Sequence, residues 1–153
     1  MPTVVAVRCG RGHLSPAYAG VCRVCGDSLP PQQPFETPRP PLGQLRFSNG
    51  EVVLLDRPCI LGRNPRVPAG YTNSQPNLVR LADPDKDISS QHLEVGIDFW
   101  HVTVKDLGST NGTELVAPGE PPLSLRPDDP VTIEPGSTVV LAGVLSFTFE
   151  VVG

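Results

Sequence analysis

Near the C-terminal end of the chain, Leu145, Phe147, Phe149 and Val151 alternate with Ser146, Thr148 and Glu150, so a strand over Leu145 to Val151 would carry one dry and one wet face. The same period of two runs through Trp100 to Asp106, where Val102 and Val104 face one way and His101, Thr103 and Lys105 the other. Gln44 to Phe47 and Val52 to Leu55 flank Ser48-Asn49-Gly50-Glu51, the Asn-Gly signal of a hairpin. Further short strands are predicted at Cys59 to Gly62, Leu78 to Leu81, Leu93 to Ile97, Val131 to Ile133 and Thr138 to Leu141. No ten-residue segment keeps the i, i+3, i+4, i+7 spacing of an amphipathic helix. Many short strands without helices predict an all-β sandwich.

Composition sharpens this picture. The 153 residues include 19 prolines and 15 glycines, punctuation that suits short strands joined by turns. Leu29 to Gly43 holds six prolines and little apolar pattern, and is expected to be an extended, semi-stiff linker. The chain is therefore read as a small segment over residues 1–30, a proline-rich linker over 31–41 and a β-domain over 42–153. The net charge of -4, from 12 basic and 16 acidic side chains, argues against a protein that holds nucleic acid by general phosphate attraction. No apolar run approaches the length that spans a bilayer, so the expectation is a cytoplasmic chain without a membrane partner.

Three short segments fall at predicted strand ends: Leu61-Gly62-Arg63, Ile88-Ser89-Ser90-Gln91-His92, and Leu107-Gly108-Ser109-Thr110-Asn111-Gly112-Thr113. This ordered trio of Gly-Arg, Ser-x-x-His and Ser/Thr-x-Asn-Gly resembles the forkhead-associated (FHA) domain, over about 110 residues. The resemblance implies an FHA-type antiparallel β-sandwich of about 10 to 11 strands, and a module that binds phosphothreonine-containing protein segments produced by Ser/Thr kinases.

The residues suit that chemistry on their own terms. A phosphothreonine brings nearly two negative charges and three acceptor oxygens, which a guanidinium fork and neutral donors satisfy. Arg63 can supply the fork, Ser89, Ser90 and Thr110 hydroxyls, and the glycine-containing turns backbone N–H groups. Charge-assisted bonds contribute about 1.5 to 3 kcal/mol each, so a few of them reach the micromolar range after association costs. By resemblance, Asn111 binds the peptide main chain beside the phosphothreonine, and His92 braces the loop that carries Ser89. Gly62 and Gly112 are expected to serve backbone geometry through positive φ. Ser90 and Gln91 stand where the family often has a basic or amide side chain, which leaves positive charge sparse; Lys86 and Arg66 flank the site. The loop from Asn64 to Asn77 is long for a connection and is expected to influence peptide preference.

Cys9-x3-His13 and Cys22-x2-Cys25 form two short pairs of soft or borderline ligands, with a glycine beside each. They resemble a zinc ribbon with one histidine in place of a cysteine. Four ligands close a tetrahedral ion and leave no position for a catalytic water, so the expected Zn2+ is structural. About 25 residues bury too little to fold alone, and the metal would supply the missing stabilisation. Cys59 lies in an apolar strand and reads as core.

Two rival constellations are weaker. Ser89, His92 and Asp106 could be drawn as a catalytic triad, but no G-x-S-x-G elbow is present; no enzymatic activity is expected. Asp83, Asp85, Asp87 and Glu94 match part of a calcium-loop spacing, yet Ile88 sits where that loop requires glycine. The resemblance thus implies a phosphothreonine-dependent adaptor. The alternative is an FHA-fold scaffold with weak or no phosphopeptide binding, interacting with protein or nucleic acid through the ribbon.

Overall fold

The computed structural model describes residues 2–71 and 75–152. It is all-β, and among the described residues no helix is long and apolar enough to cross a membrane. Three strands precede the main body: β1 (Thr3–Arg8), β2 (Leu14–Pro16) and β3 (Phe35–Pro38), which form an antiparallel sheet in the order β2-β1-β3. The rest are β4 (Gln44–Phe47), β5 (Val52–Leu54), β6 (Cys59–Gly62), β7 (Asn77–Arg80), β8 (Leu93–Asp98), β9 (His101–Asp106), β10 (Thr113–Val116), β11 (Leu123–Ser124), β12 (Val131–Ile133), β13 (Thr138–Leu141) and β14 (Leu145–Glu150). A six-stranded sheet, β11-β10-β13-β14-β4-β5, and a five-stranded sheet, β12-β9-β8-β6-β7, make up the sandwich.

The alternation seen in the sequence becomes its core. Val102 and Val104 of β9 and Phe147 and Phe149 of β14 are buried, with Leu45, Phe47, Leu61, Leu93, Val95 and Leu141. Phe47 and Phe147 are cross-strand partners whose rings tilt at 53° with centroids 5.4 Å apart. Cys59 is fully buried here, and burial pushes its thiol up to about 12. The Asn49-Gly50 turn joins β4 to β5, with Phe47 and Glu51 hydrogen-bonded across it at 2.8 Å.

Most pairings are antiparallel, but β6 and β7 run parallel. Parallel neighbours need a crossover rather than a hairpin, and this accounts for the length of the loop between Gly62 and Asn77. Residues 72–74 of that loop lie outside the described residues, so its expected influence on peptide preference is addressed only by its ends.

Phe35–Pro38, inside the segment expected to be a proline-rich linker, is sheet rather than tether. The backbone is extended as anticipated, but it pairs with β1 from Thr3↔Pro38 to Ala6↔Phe35. Two interactions hold it there: the Arg8 guanidinium lies 5.0 Å from the Phe35 ring centroid, and the Gln32 amide exchanges hydrogen bonds with the Arg8 backbone, at 2.7 Å each way. β3 is an edge strand, where proline costs no ladder bond. The N-terminal sheet also touches the sandwich, since the Trp100 indole N–H donates to the Val5 carbonyl at 3.2 Å. Strand β10 and the two-residue β11 have no counterpart in the predicted strands.

Phe147→Ala is expected to lower stability by about 3 to 5 kcal/mol, because it empties the centre of the core. A fall in the urea midpoint with an unchanged slope checks this.

Candidate functional site

The three motif segments meet at one end of the sandwich, where β6 ends, β8 begins, and β9 hands over to β10. Gly62 is glycine because of close approach, not positive φ as the sequence suggested. A Cβ at this position would stand 2.0 Å from the Ser90 carbonyl oxygen. That contact lets the chain after β6 pair with the serine loop: Arg63 N–H donates to Ser89 O at 3.1 Å and Asn64 N–H to Ser90 O at 3.0 Å. Gly112 does adopt positive φ, at 84°, which non-glycine residues reach only at a cost.

His92 is fully buried between two loops. Its Nδ1 accepts the Ser89 N–H at 3.1 Å, so Nε2 carries the proton and donates to Gly112 O at 2.9 Å. The ring therefore works neutral. Burial lowers its pKa, against the smaller pull of the Gly112 carbonyl and of Asp106.

Asp106, at the end of β9, shapes the second loop. Its Oδ2 accepts the N–H groups of Gly108 and Ser109, each at 3.0 Å. Its Oδ1 accepts the hydroxyls of Ser109 at 2.5 Å and Thr113 at 2.7 Å. Burial disfavours the charge, but these four donors outweigh it and the carboxyl titrates below its usual range. Ser109 Oγ in turn accepts the Gly112 N–H at 3.1 Å, closing the turn.

On this frame Arg63 Nε donates to Ile88 O at 2.5 Å, while its Nη2 approaches Ser90 Oγ at 3.5 Å. Ser89 Oγ accepts the Thr110 N–H at 3.0 Å, so its own proton stays free to donate. Asn111 Nδ2 donates one hydrogen to Asp87 O at 2.8 Å and keeps the other, with its carbonyl oxygen, available. Arg63, Ser89, Ser90, Thr110 and Asn111 thus lie along one rim, with donors left over that suit an oxyanion. Gln91 points elsewhere: its Oε1 accepts the Arg66 N–H at 2.5 Å and ties down the start of the crossover loop. Asp83, absent from the predicted site, caps this arrangement by accepting the Ile88 N–H at 2.7 Å. An Asp five residues ahead of the buried Ile88 was the only sequence trace of it.

The triad drawn from Ser89, His92 and Asp106 is not assembled. The serine reaches the ring through its backbone N–H rather than its hydroxyl, and both Asp106 oxygens are engaged by its own loop. The calcium-loop spacing dissolves as well, since Glu94 pairs with Lys105 at 3.2 Å.

At the other end of the chain, one ligand atom from each of Cys9, His13, Cys22 and Cys25 comes within 4.8 Å of all the others. The Cys9 and Cys25 sulfurs are 3.9 Å apart, and Cys9 Sγ lies 3.5 Å from His13 Nδ1. Sulfurs bonded at about 2.3 Å to one tetrahedral ion stand about 3.8 Å apart. The N–H groups of Arg11 and Val24 point at the sulfurs of Cys9 and Cys22, each at 3.3 Å, as suits thiolates. The cluster can hold a metal ion.

His92 makes the fold sensitive to acid. Its folded pKa lies below the ordinary value, so the stability it confers is present above about pH 6.5 and is lost as pH falls toward the folded pKa. Asp106 adds a second loss, below about pH 3.9. The thermal midpoint is expected to drop as pH falls below about 6.5, and His92→Gln to flatten that slope, as a scan across pH reads directly.

The FHA domain profile matches residues 59–142, while among curated proteins none matches the chain. The FHA domain of human APLF, solved with an XRCC1 bisphospho peptide, is similar at 20% identity and TM-score 0.56, covering 72% of this chain and 99% of that one. The MEK1 FHA domain, solved with a HOP1 phosphothreonine peptide, is 22% identical at TM-score 0.54, covering 74% and 100%. The FHA domain of an Arabidopsis thaliana hypothetical protein is 23% identical at TM-score 0.53, covering 72% and 87%. These likenesses establish the sandwich topology, to which β4, β5 and β14 belong although they fall outside the matched residues. With the profile spanning more than half of its length on that sandwich, the chain belongs to the FHA domain family, a family of phosphopeptide-binding modules and not of enzymes.

Proposed function

We propose that the chain is a phosphothreonine-dependent peptide-binding adaptor acting downstream of Ser/Thr kinases in the cytoplasm. The observation that carries this reading is the rim where Arg63, Ser89, Ser90, Thr110 and Asn111 converge with unspent donors. Arg63, held by the Ile88 carbonyl through Nε, turns its terminal nitrogens toward the phosphate. The Ser89 and Thr110 hydroxyls donate to the remaining oxygens. Asn111, fixed by Asp87, grips the peptide main chain. Gly62, His92 and Gly112 support the site without touching the ligand. Solved relatives in complex with phosphorylated peptides agree with this use of the fold. The sandwich over residues 42–153 is the reading module, and 1–30 the ribbon, with 31–41 joining them and lending Phe35–Pro38 to the ribbon's sheet.

A phosphothreonine peptide is expected to bind with micromolar affinity, near -8 kcal/mol, and its unphosphorylated form not to bind. Arg63→Ala and Ser89→Ala are each expected to weaken binding by about tenfold or more while the thermal midpoint stays put. Calorimetry with the two peptides checks this, and retained affinity in Arg63→Ala sinks it.

The metal in the N-terminal cluster is read as Zn2+, with Cys9, His13, Cys22 and Cys25 as its four ligands and a structural role. Elemental analysis is expected to find one zinc per chain, lost in Cys22→Ser. Chelation is expected to unfold the ribbon sheet and to leave phosphopeptide binding in place.

A further inference from the structure

At the end of the sandwich away from the motif loops, the β8–β9 hairpin meets the N-terminal sheet across a cleft of about 570 Å³. β8 and β9 are six residues each, which puts the hairpin tip roughly 20 Å from the phosphate rim. The walls are aromatic: Tyr18 from the turn after β2, Phe99 and Trp100 at the tip, and His101 at the start of β9. Tyr18 and Phe99 are 72% and 65% exposed, unusual for rings that nothing requires outside. The Tyr18 and His101 rings lie within 9° of parallel, with centroids 6.5 Å apart. Phe99 also adopts a φ of 55°, a conformation that favours glycine or asparagine. The hairpin therefore holds a bulky ring at the cleft mouth where glycine would relieve the backbone.

The cleft is acidic. Glu36 from β3 and Asp98 from the end of β8 line it, both are exposed, and no Lys or Arg among the described residues forms an ion pair with either. Two unpaired carboxylates beside electron-rich ring faces are complementary to one chemistry, an ammonium or guanidinium with a hydrocarbon stem. Trp100 already shows this preference on the side turned toward Arg23, whose guanidinium lies 5.2 Å from the ring centroid. Neutral apolar ligands would leave the carboxylates unused, and an acidic partner would be repelled.

We propose that this cleft is a second peptide site, which takes lysine or arginine side chains from an unphosphorylated basic segment of a partner protein. Both walls must be present, so the site depends on the N-terminal sheet being docked, with Trp100 bonded to Val5.

Trp100 is the single tryptophan of the chain, so its emission reports on the cleft. A short peptide of alternating lysine and glycine is expected to change that emission saturably, and the glutamate counterpart to leave it unchanged. Asp98→Asn and Glu36→Gln, both surface changes, are each expected to weaken the lysine peptide by about fivefold, as is Phe99→Ala. Glu120→Gln, an exposed carboxylate outside the cleft, is expected to have no effect. An equal response to both peptides, no response, equal weakening by Glu120→Gln, or emission changing only with protein concentration as copies associate, would each overturn the proposal.

Discussion

A buried imidazole that must stay neutral holds the reading end of this molecule together. His92 accepts from Ser89 and donates to Gly112, so one ring spans the serine loop and the Asn-Gly loop. Protonation would set a second N–H against the Ser89 donor and leave a charge in the core, which burial already disfavours. Ile88 anchors the base of the serine loop in the core, but it makes no contact that fixes the two loop tips to each other. Their relative position, and hence the distance from Ser89 to Thr110 and Asn111, follows from this brace.

Around it the same logic repeats: polar groups of the loops are consumed internally until only a few donors remain outward. Asp106 absorbs four donors, Asp83 absorbs the Ile88 N–H, and Gln91 the Arg66 N–H. What is left at the rim is a guanidinium, hydroxyls and a half-used amide. A site assembled by subtraction is preorganised, because ordering costs are met in folding rather than in binding. It is also weakly charged, since among the described residues Arg63 is the only cation whose side chain is bonded into it.

The N-terminal segment is small for an independent fold, and the structure gives it two supports. The four ligand atoms converge within 4.8 Å, and the sheet, completed by β3 on β1, is bonded to the sandwich through Trp100. The prolines of the connecting segment bias the chain toward extended backbone, which is compatible with an edge strand as readily as with a free tether. The docking creates a surface that neither part presents alone.

Much of this was legible from order and period alone. The alternations in β9 and β14, the Asn-Gly hairpin and the spacing of the two ligand pairs are local properties, because side-chain direction repeats every two residues and short loops can turn two ligands toward one ion. The ordered motif trio named the family for the same reason. What the sequence could not determine were contacts between distant segments. Gly62 proved to be glycine for the Ser90 carbonyl, not for its own φ; Ser89, His92 and Asp106 stand close without forming a triad; β3 paired where a linker was expected; and β10 was hidden behind the motif it follows. Each depends on which groups meet in space after the two sheets close, a condition imposed by packing that no local pattern encodes.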